Sequence, residues 1–267
     1  MTYPECRELL LETGGGLLTI TINRPHKRNA MNGAVVEELM AVFSYIENDR
    51  SVRAVVLQGA EGNFCSGGDI SSMKMDADDN PGEAALKFNR SFGHMITKIN
   101  QAPQVVITLL EGAVLGGGLG LACISDIAIA DVGVKIGMPE TGLGIIPAQI
   151  APFVVSRIGL PQARRLALLG AWVDGAEACN LGIAHYLTDG EAEMQEQLAQ
   201  VLAQVKRTAP GANAATKALM QAVAGSELEQ LLDEAAISFA ASLASPEGQE
   251  GTQAFRDKRK PTWAQKL

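Results

Sequence analysis

Apolar positions along the chain follow two periods. From Glu8, the run ELLLE, a TGGG turn and LLTITIN set two short apolar stretches on either side of glycines, which predicts a β-hairpin. In GAVVEELMAVFSYIEND, Val36, Leu39, Met40, Phe43 and Ile46 recur three and four apart, so an amphipathic helix is expected with that stripe turned inward. VRAVVLQG is apolar without alternation, as a strand covered on both faces is. The loop AEGNFCSGGDI and the polar stretch KMDADDNPGE, expected to be mobile, come next. A helix running to about Gln101 then leads into a second buried strand, QVVITLL, and DIAIAD and KIGMP predict further short strands.

Strands entering loops that open helices imply an α/β core. Beyond about residue 145 the pattern turns helical, through AQIAPFVVSRIG, PQARRLALLG, DGAEACNLGIA, EMQEQLAQVLAQVKRTA, GANAATKALMQAVA and SELEQLLDEAAISFAASLA. The expected organisation is a core over residues 1–200 and an all-helical region over 201–267 that covers a site or joins subunits.

Composition narrows the function class. With 47% hydrophobic residues in 267, the chain can bury a large core. A net charge of -8 argues against a broad nucleic-acid or membrane-surface footprint, leaving one small basic patch, RDKRK at Arg256–Lys260. Four cysteines and three histidines are scattered without ligand spacing, so neither a metal site nor a disulfide framework is expected. The N-terminus lacks the order of a signal peptide, and no apolar run reaches membrane-spanning length. The expectation is a cytoplasmic enzyme with reduced thiols.

Two glycine loops carry the candidate chemistry, NFCSGGDI around Gly68 and GAVLGGGLG around Gly117. Tight strand-to-helix turns alone would account for either one. Neither supplies G-x-G-x-x-G, and no P-loop or nucleophile-elbow pattern occurs. What remains is one backbone N–H from each loop converging on a single oxygen, the form of an oxyanion hole.

Five stretches in order, NRPHKRNAM, NFCSGGDI, GAVLGGGLGLACISDIAIA, GMPETGLGIIP and EGTQAFRDKRKP, resemble the enoyl-CoA hydratase/isomerase, or crotonase, superfamily. The resemblance implies a spiral core of ββα turns followed by a helical C-terminal trimerisation region, in a homotrimer or a dimer of trimers. It places the N–H groups of Gly68 and Gly117 on the thioester oxygen of an acyl-CoA. It also places Arg28 and Ala30 on the adenine and phosphate side, Ser66, Asp69 and Ile70 along the bent ligand, and Phe255 and Lys258 against CoA, often that of a neighbouring subunit. A solvated basic tail is the other reading of those last two. No separate cofactor is implied, since coenzyme A is part of the substrate.

The carboxylates depart from the family pattern. Hydratases of the family commonly carry one glutamate two residues after the triple glycine and a second in a later PE pair. Here the first position is Gly120 and the second is Glu140. One carboxylate can deprotonate water and return the proton, or move a proton between two carbons, so hydratase and isomerase both stay open. PAQIAPFVVSRIG also replaces a glycine-rich PGAGGTQRL-like segment, and Gln149 should reshape the acyl pocket. In this the chain is similar to hydratases of branched glutaconyl-CoA thioesters, such as isohexenylglutaconyl-CoA hydratase, whose substrate brings its own distal carboxylate. A non-catalytic acyl-CoA-binding protein is the alternative of another class; complete glycine loops plus Glu140 argue against it.

Overall fold

The computed structural model describes residues 3–69 and 81–265. The binding role expected of Ile70 falls outside that range, as do residues 74–80 of the stretch 74–83 expected to be mobile; the last three, Pro81 to Glu83, instead open a helix. In chain order the first elements are β1 (Leu9–Gly14), β2 (Leu17–Ile22), α1 (Gly33–Ile46), β3 (Ala54–Gly59), α2 (Pro81–Asn100), β4 (Val105–Leu110), β5 (Ala113–Leu115) and α3 (Gly117–Ile124). They continue as β6 (Ile127–Asp131), β7 (Lys135–Gly137), α4 (Ala151–Leu169), β8 (Trp172–Val173), α5 (Gly175–Leu181) and β9 (Tyr186–Thr188). The helices α6 (Glu191–Val205), α7 (Pro210–Ala222), α8 (Leu228–Ala244) and α9 (Pro246–Arg256) follow.

β1 and β2 form the expected hairpin, antiparallel from Leu9 opposite Ile22 to Gly14 opposite Leu17. Parallel strands extend it into a six-stranded sheet of order β1-β2-β3-β4-β6-β9, and β5, β7 and β8 form a second, three-stranded sheet. In β4-β5-α3 and again in β6-β7-α4, the first strand joins the large sheet, the second joins the small one, and a helix returns the chain. An isolated parallel bridge between Cys65 and Val114 gives the turn after β3 its own link to the small sheet. Repetition of this unit produces the expected spiral of ββα turns.

The unbroken apolar character of β3 now has its cause. Val55 and Leu57 point into the main core with Leu39, Phe43 and Ile46 of α1, while Ala54 and Val56 meet Met194, Leu198, Val201 and Val205 of α6 on the other face. Both faces of the sheet are covered, as a parallel sheet requires. Asn32 starts α1 by accepting a hydrogen bond from the Val35 N–H at 3.0 Å.

Three strands went unanticipated. β5, β8 and β9 are two or three residues long, too short to display a period, and β5 lies inside what reads as a glycine loop. The region beyond residue 145 is thus not wholly helical, because β9 adds the last strand of the large sheet. α4 breaks at Gly159 (φ 74°, ψ 157°), two residues before Pro161, where the sequence reads as two segments. A domain boundary at residue 200 passes through α6, whose apolar stripe belongs to the core.

The outlying helices α7, α8 and α9 bury only Leu231 and Ala254. Polar ties hold them instead. Lys217 pairs with Asp126 at 2.7 Å, and the Glu247 carboxylate accepts from the N–H groups of Gly211 and Ala212 at the start of α7. The buried Arg53 donates to the carbonyls of Val205 (2.8 Å), Thr208 (2.6 Å) and Trp263 (2.8 Å). Among the described residues no helix is long and apolar enough to cross a membrane, and no cluster of His, Cys, Asp or Glu could hold a metal ion.

Candidate active site

The segment 24–31 is the strap on which the first glycine loop is built. Asn29, with φ 57°, is fully buried. Its Oδ1 accepts from the Arg24 N–H at 2.9 Å, and its Nδ2 donates to the carbonyls of Ala60 (2.8 Å) and Asn63 (2.5 Å). Asparagine tolerates this left-handed backbone better than most residues. Arg24 in turn pairs with Asp69 at 2.9 Å and Glu8 at 3.3 Å, and donates to the Ala30 carbonyl. These contacts fix residues 60–69 against the strap.

The loop's register aims one donor outward. Met31 donates its N–H to the Gly67 carbonyl and accepts from the Asp69 N–H, each at 2.8 Å, in a parallel bridge that has Gly68 opposite Met31. Gly68 therefore turns its own N–H to the other side. Gly117 is the first residue of α3, so its N–H belongs to the helix-start donors that have no internal acceptor. Neither N–H meets an acceptor among the described residues, and both glycines line one cleft of about 170 Å³.

The triple glycine answers to separate constraints. Gly116 has φ 50°, and a Cβ there would stand 2.8 Å from Glu140 Oε1. A Cβ on Gly118 would stand 2.6 Å from the Cys65 carbonyl oxygen. The helix start can approach both the first loop and the carboxylate only without side chains.

Glu140 opens a 3-10 turn after β7, Glu140–Leu143, and lines the same cleft. Its Oε2 is buried without a hydrogen-bond partner. Burial pushes its pKa above the ordinary glutamate value, against a smaller opposing effect of its own backbone N–H. A carboxylate oxygen so placed is available to take or give a proton. At position 120 a second acid would have to displace its neighbours: a Cβ there would meet Ile150 Cγ2 at 2.5 Å and Ile96 Cδ1 at 3.0 Å.

The remaining expected residues distribute unevenly. Ser66 lines the cleft, its N–H and Oγ donating to the carbonyls of Arg28 (3.0 Å) and Lys27 (3.1 Å). Arg28, Ala30 and Asp69 sit beside it in the strap and loop without lining the cleft, and the Asp69 carboxylate is engaged with Arg24. Phe255 and Lys258, in and just after α9, do not line this chain's cleft, and Phe255 is 85% exposed.

Sequence reasoning missed the α2 wall of Phe88, Asn89 and Phe92, for which the spacing of two aromatics four apart was the available signal. It flagged Gln149 without its partners. Gln149 Nε2 donates to Asn89 Oδ1 at 2.8 Å, and Arg90 Nη1 donates to Gln149 Oε1 at 3.1 Å.

Comparison with known proteins agrees along the whole chain. The enoyl-CoA hydratase/isomerase family model matches residues 12–266. A probable enoyl-CoA hydratase of Bacillus subtilis is 32% identical over 91% of this chain and 93% of its own length. The short-chain-enoyl-CoA hydratase of Clostridium acetobutylicum is 30% identical over 96% and 97%. Among solved structures, Pseudomonas aeruginosa AtuE is 54% identical with a TM-score of 0.94, covering 97% of this chain and 100% of that one. An enoyl-CoA hydratase/isomerase from Marinobacter aquaeolei is 54% identical with a TM-score of 0.93 over the same shares. With the fold, the paired glycine loops and these matches in agreement, the chain belongs to the enoyl-CoA hydratase/isomerase, or crotonase, family.

Proposed function

We propose that the protein is an enoyl-CoA hydratase, adding water across the α,β-double bond of an acyl-CoA with Glu140 as its sole acid and base. One observation carries this reading: the unpartnered Glu140 Oε2 shares a cleft with two unpartnered N–H groups, those of Gly68 and Gly117. Glu140 takes a proton from water as the water oxygen bonds to the β-carbon. The π electrons move toward the thioester oxygen, which the two N–H groups hold as it becomes an enolate. The enolate collapses and takes the proton from the Glu140 carboxylic acid at the α-carbon, so one water is added and the carboxylate is restored. Each donor contributes roughly 2.7–4 kcal/mol in the transition state.

The acyl group we assign is a branched, 3-substituted glutaconyl chain. The replaced segment at Pro147–Gly159 and the apolar cleft walls support a bulky acyl group. No cofactor beyond the substrate's own coenzyme A enters this chemistry. Arg28, Ala30, Ser66, Asp69 and Ile70 are assigned to CoA.

The assembly proposed is a homotrimer or a dimer of trimers. The exposed Ile237 and Phe239 of α8 would then be covered, and Phe255 and Lys258 would reach a neighbour's CoA.

The test is turnover of a 3-substituted glutaconyl-CoA in deuterated water. The expected product is the 3-hydroxyacyl-CoA with deuterium at the α-carbon. Double-bond migration without a hydroxyacyl product would select the isomerase, and absence of any CoA-ester turnover would select a binding protein.

A further inference from the structure

Asn89 and Gln149, which line the cleft, and the exposed Arg90 beside them at its rim form a polar ladder whose direction is forced. Arginine has only donors, so the Gln149 carbonyl oxygen must face Arg90 Nη1, at 3.1 Å. The Gln149 amide nitrogen is thereby turned toward Asn89, whose Oδ1 accepts from it at 2.8 Å. Asn89 has spent its oxygen on that bond and keeps Nδ2 as a donor. Arg90 retains its other N–H groups, and among the described residues it pairs with no carboxylate. The polarity set by one arginine thus leaves donors, and a positive charge, as what the ladder has to offer a ligand.

Its position matches a second requirement. Phe92 abuts Gly117, since a Cβ on that glycine would stand 3.1 Å from Phe92 Cε2. Asn89 is three residues earlier on the same helix and also lines the cleft, which puts it just under one turn, roughly 4.5 Å along the axis, from Phe92. An extended five-carbon acyl chain spans roughly 5 Å from its thioester carbon to a terminal carboxyl carbon. With the thioester oxygen at Gly68 and Gly117, the far end of such a chain falls in the range of the ladder.

We infer that Arg90 and Asn89, aligned by Gln149, form a receptor for a carboxylate at the distal end of the acyl chain, so that the cleft selects dicarboxylic enoyl-CoA thioesters over neutral ones. This rests on the acyl-CoA reading of the cleft. Asn89 and Arg90 bind the carboxylate; Gln149 is a positioning residue. The anion gains charge-assisted hydrogen bonds at the rim of the cleft, where the Arg90 side chain is exposed and Asn89 reaches the lining.

The experiment compares kcat/KM for glutaconyl-CoA and 5-methylhex-2-enoyl-CoA, in which an isopropyl group stands where the carboxylate was. The wild type is expected to favour the carboxylated substrate. Arg90→Met should lower that selectivity ratio by about 10- to 100-fold, mainly through KM, as loss of hydrogen bonds to a charged group does. Arg90→Lys should recover part of the ratio, and Gln149→Leu should lower it less than Arg90→Met. A ratio unchanged in Arg90→Met, or a wild type that hydrates only the neutral thioester, overturns the receptor while leaving the hydratase reading intact. If the wild type turns over neither substrate, it is the hydratase reading that fails.

Discussion

Ile150 and Gly120 share one volume: a Cβ on Gly120 would stand 2.5 Å from Ile150 Cγ2. The bulk that follows Pro147 has closed the place where family hydratases commonly keep a second glutamate. Gly120→Ala should therefore lower unfolding free energy by about 1–3 kcal/mol through overpacking, even though alanine favours a helix interior over glycine. Ile150→Ala in the same chain should offset part of the loss. Urea denaturation of both single variants and the double variant checks this; purely additive effects would show that the two positions do not compete.

Gly117 tests the second oxyanion donor. Proline is accepted at the first position of a helix, so Gly117→Pro removes the N–H where the backbone tolerates it. A bulk control is needed because a Cβ here approaches Met31 Cε to 2.6 Å. Gly117→Ala supplies that control and keeps the donor. The expected result is a kcat at least about 10²-fold lower in Gly117→Pro than in Gly117→Ala. Equal rates in two folded variants would remove this N–H from the mechanism.

Glu140→Gln keeps the shape of the site and removes the titrating proton. Its kcat should fall by about 10²–10⁴-fold with thioester affinity largely retained. The same substitution carries a stability signature. The folded-state pKa of Glu140 is raised by burial, so between the unfolded and folded values the native state holds more proton than the unfolded state. Stability then declines as pH rises through that window, and above it the ionised carboxylate is a standing cost. Glu140→Gln should accordingly unfold at a higher temperature than the wild type near neutral pH, with the gap closing below the ordinary glutamate range. A gap independent of pH would contradict the burial argument.

Assembly has its own probe on α8, where Ile237 is 71% and Phe239 69% exposed in the single chain. In a monomer, Ile237→Asp and Phe239→Asp would change little. At a subunit interface they leave a charge buried without a partner, so light scattering should report smaller particles. Particle masses unchanged from the wild type would move the interface elsewhere. Lys258→Ala should weaken CoA-ester binding more visibly at low ionic strength, if the tail serves a neighbour's ligand.

The long elements were legible because each shows a whole period: the α1 stripe from Val36 to Ile46 is packed inward or partly so, and β3 is buried from both sides. The glycine loops were legible because few residues besides glycine suit a positive φ next to a neighbouring backbone. The Asn89–Gln149–Arg90 ladder was not, because its members lie about sixty residues apart and none belongs to a periodic stripe. Asn29 escaped for a similar reason, since the strap it fastens to Ala60 and Asn63 exists only once the first turn of the spiral has closed.

The hydrogen bonds of Arg53 set a condition on how the protein is made. Its contact with Trp263 spans 210 residues and that with Val205 spans 152. During synthesis the start of the third strand therefore carries a guanidinium whose acceptors have yet to be translated. Until the last helices have left the ribosome, the entry to a central strand of an otherwise finished sheet stays uncovered, and residues far down the chain are what cover it.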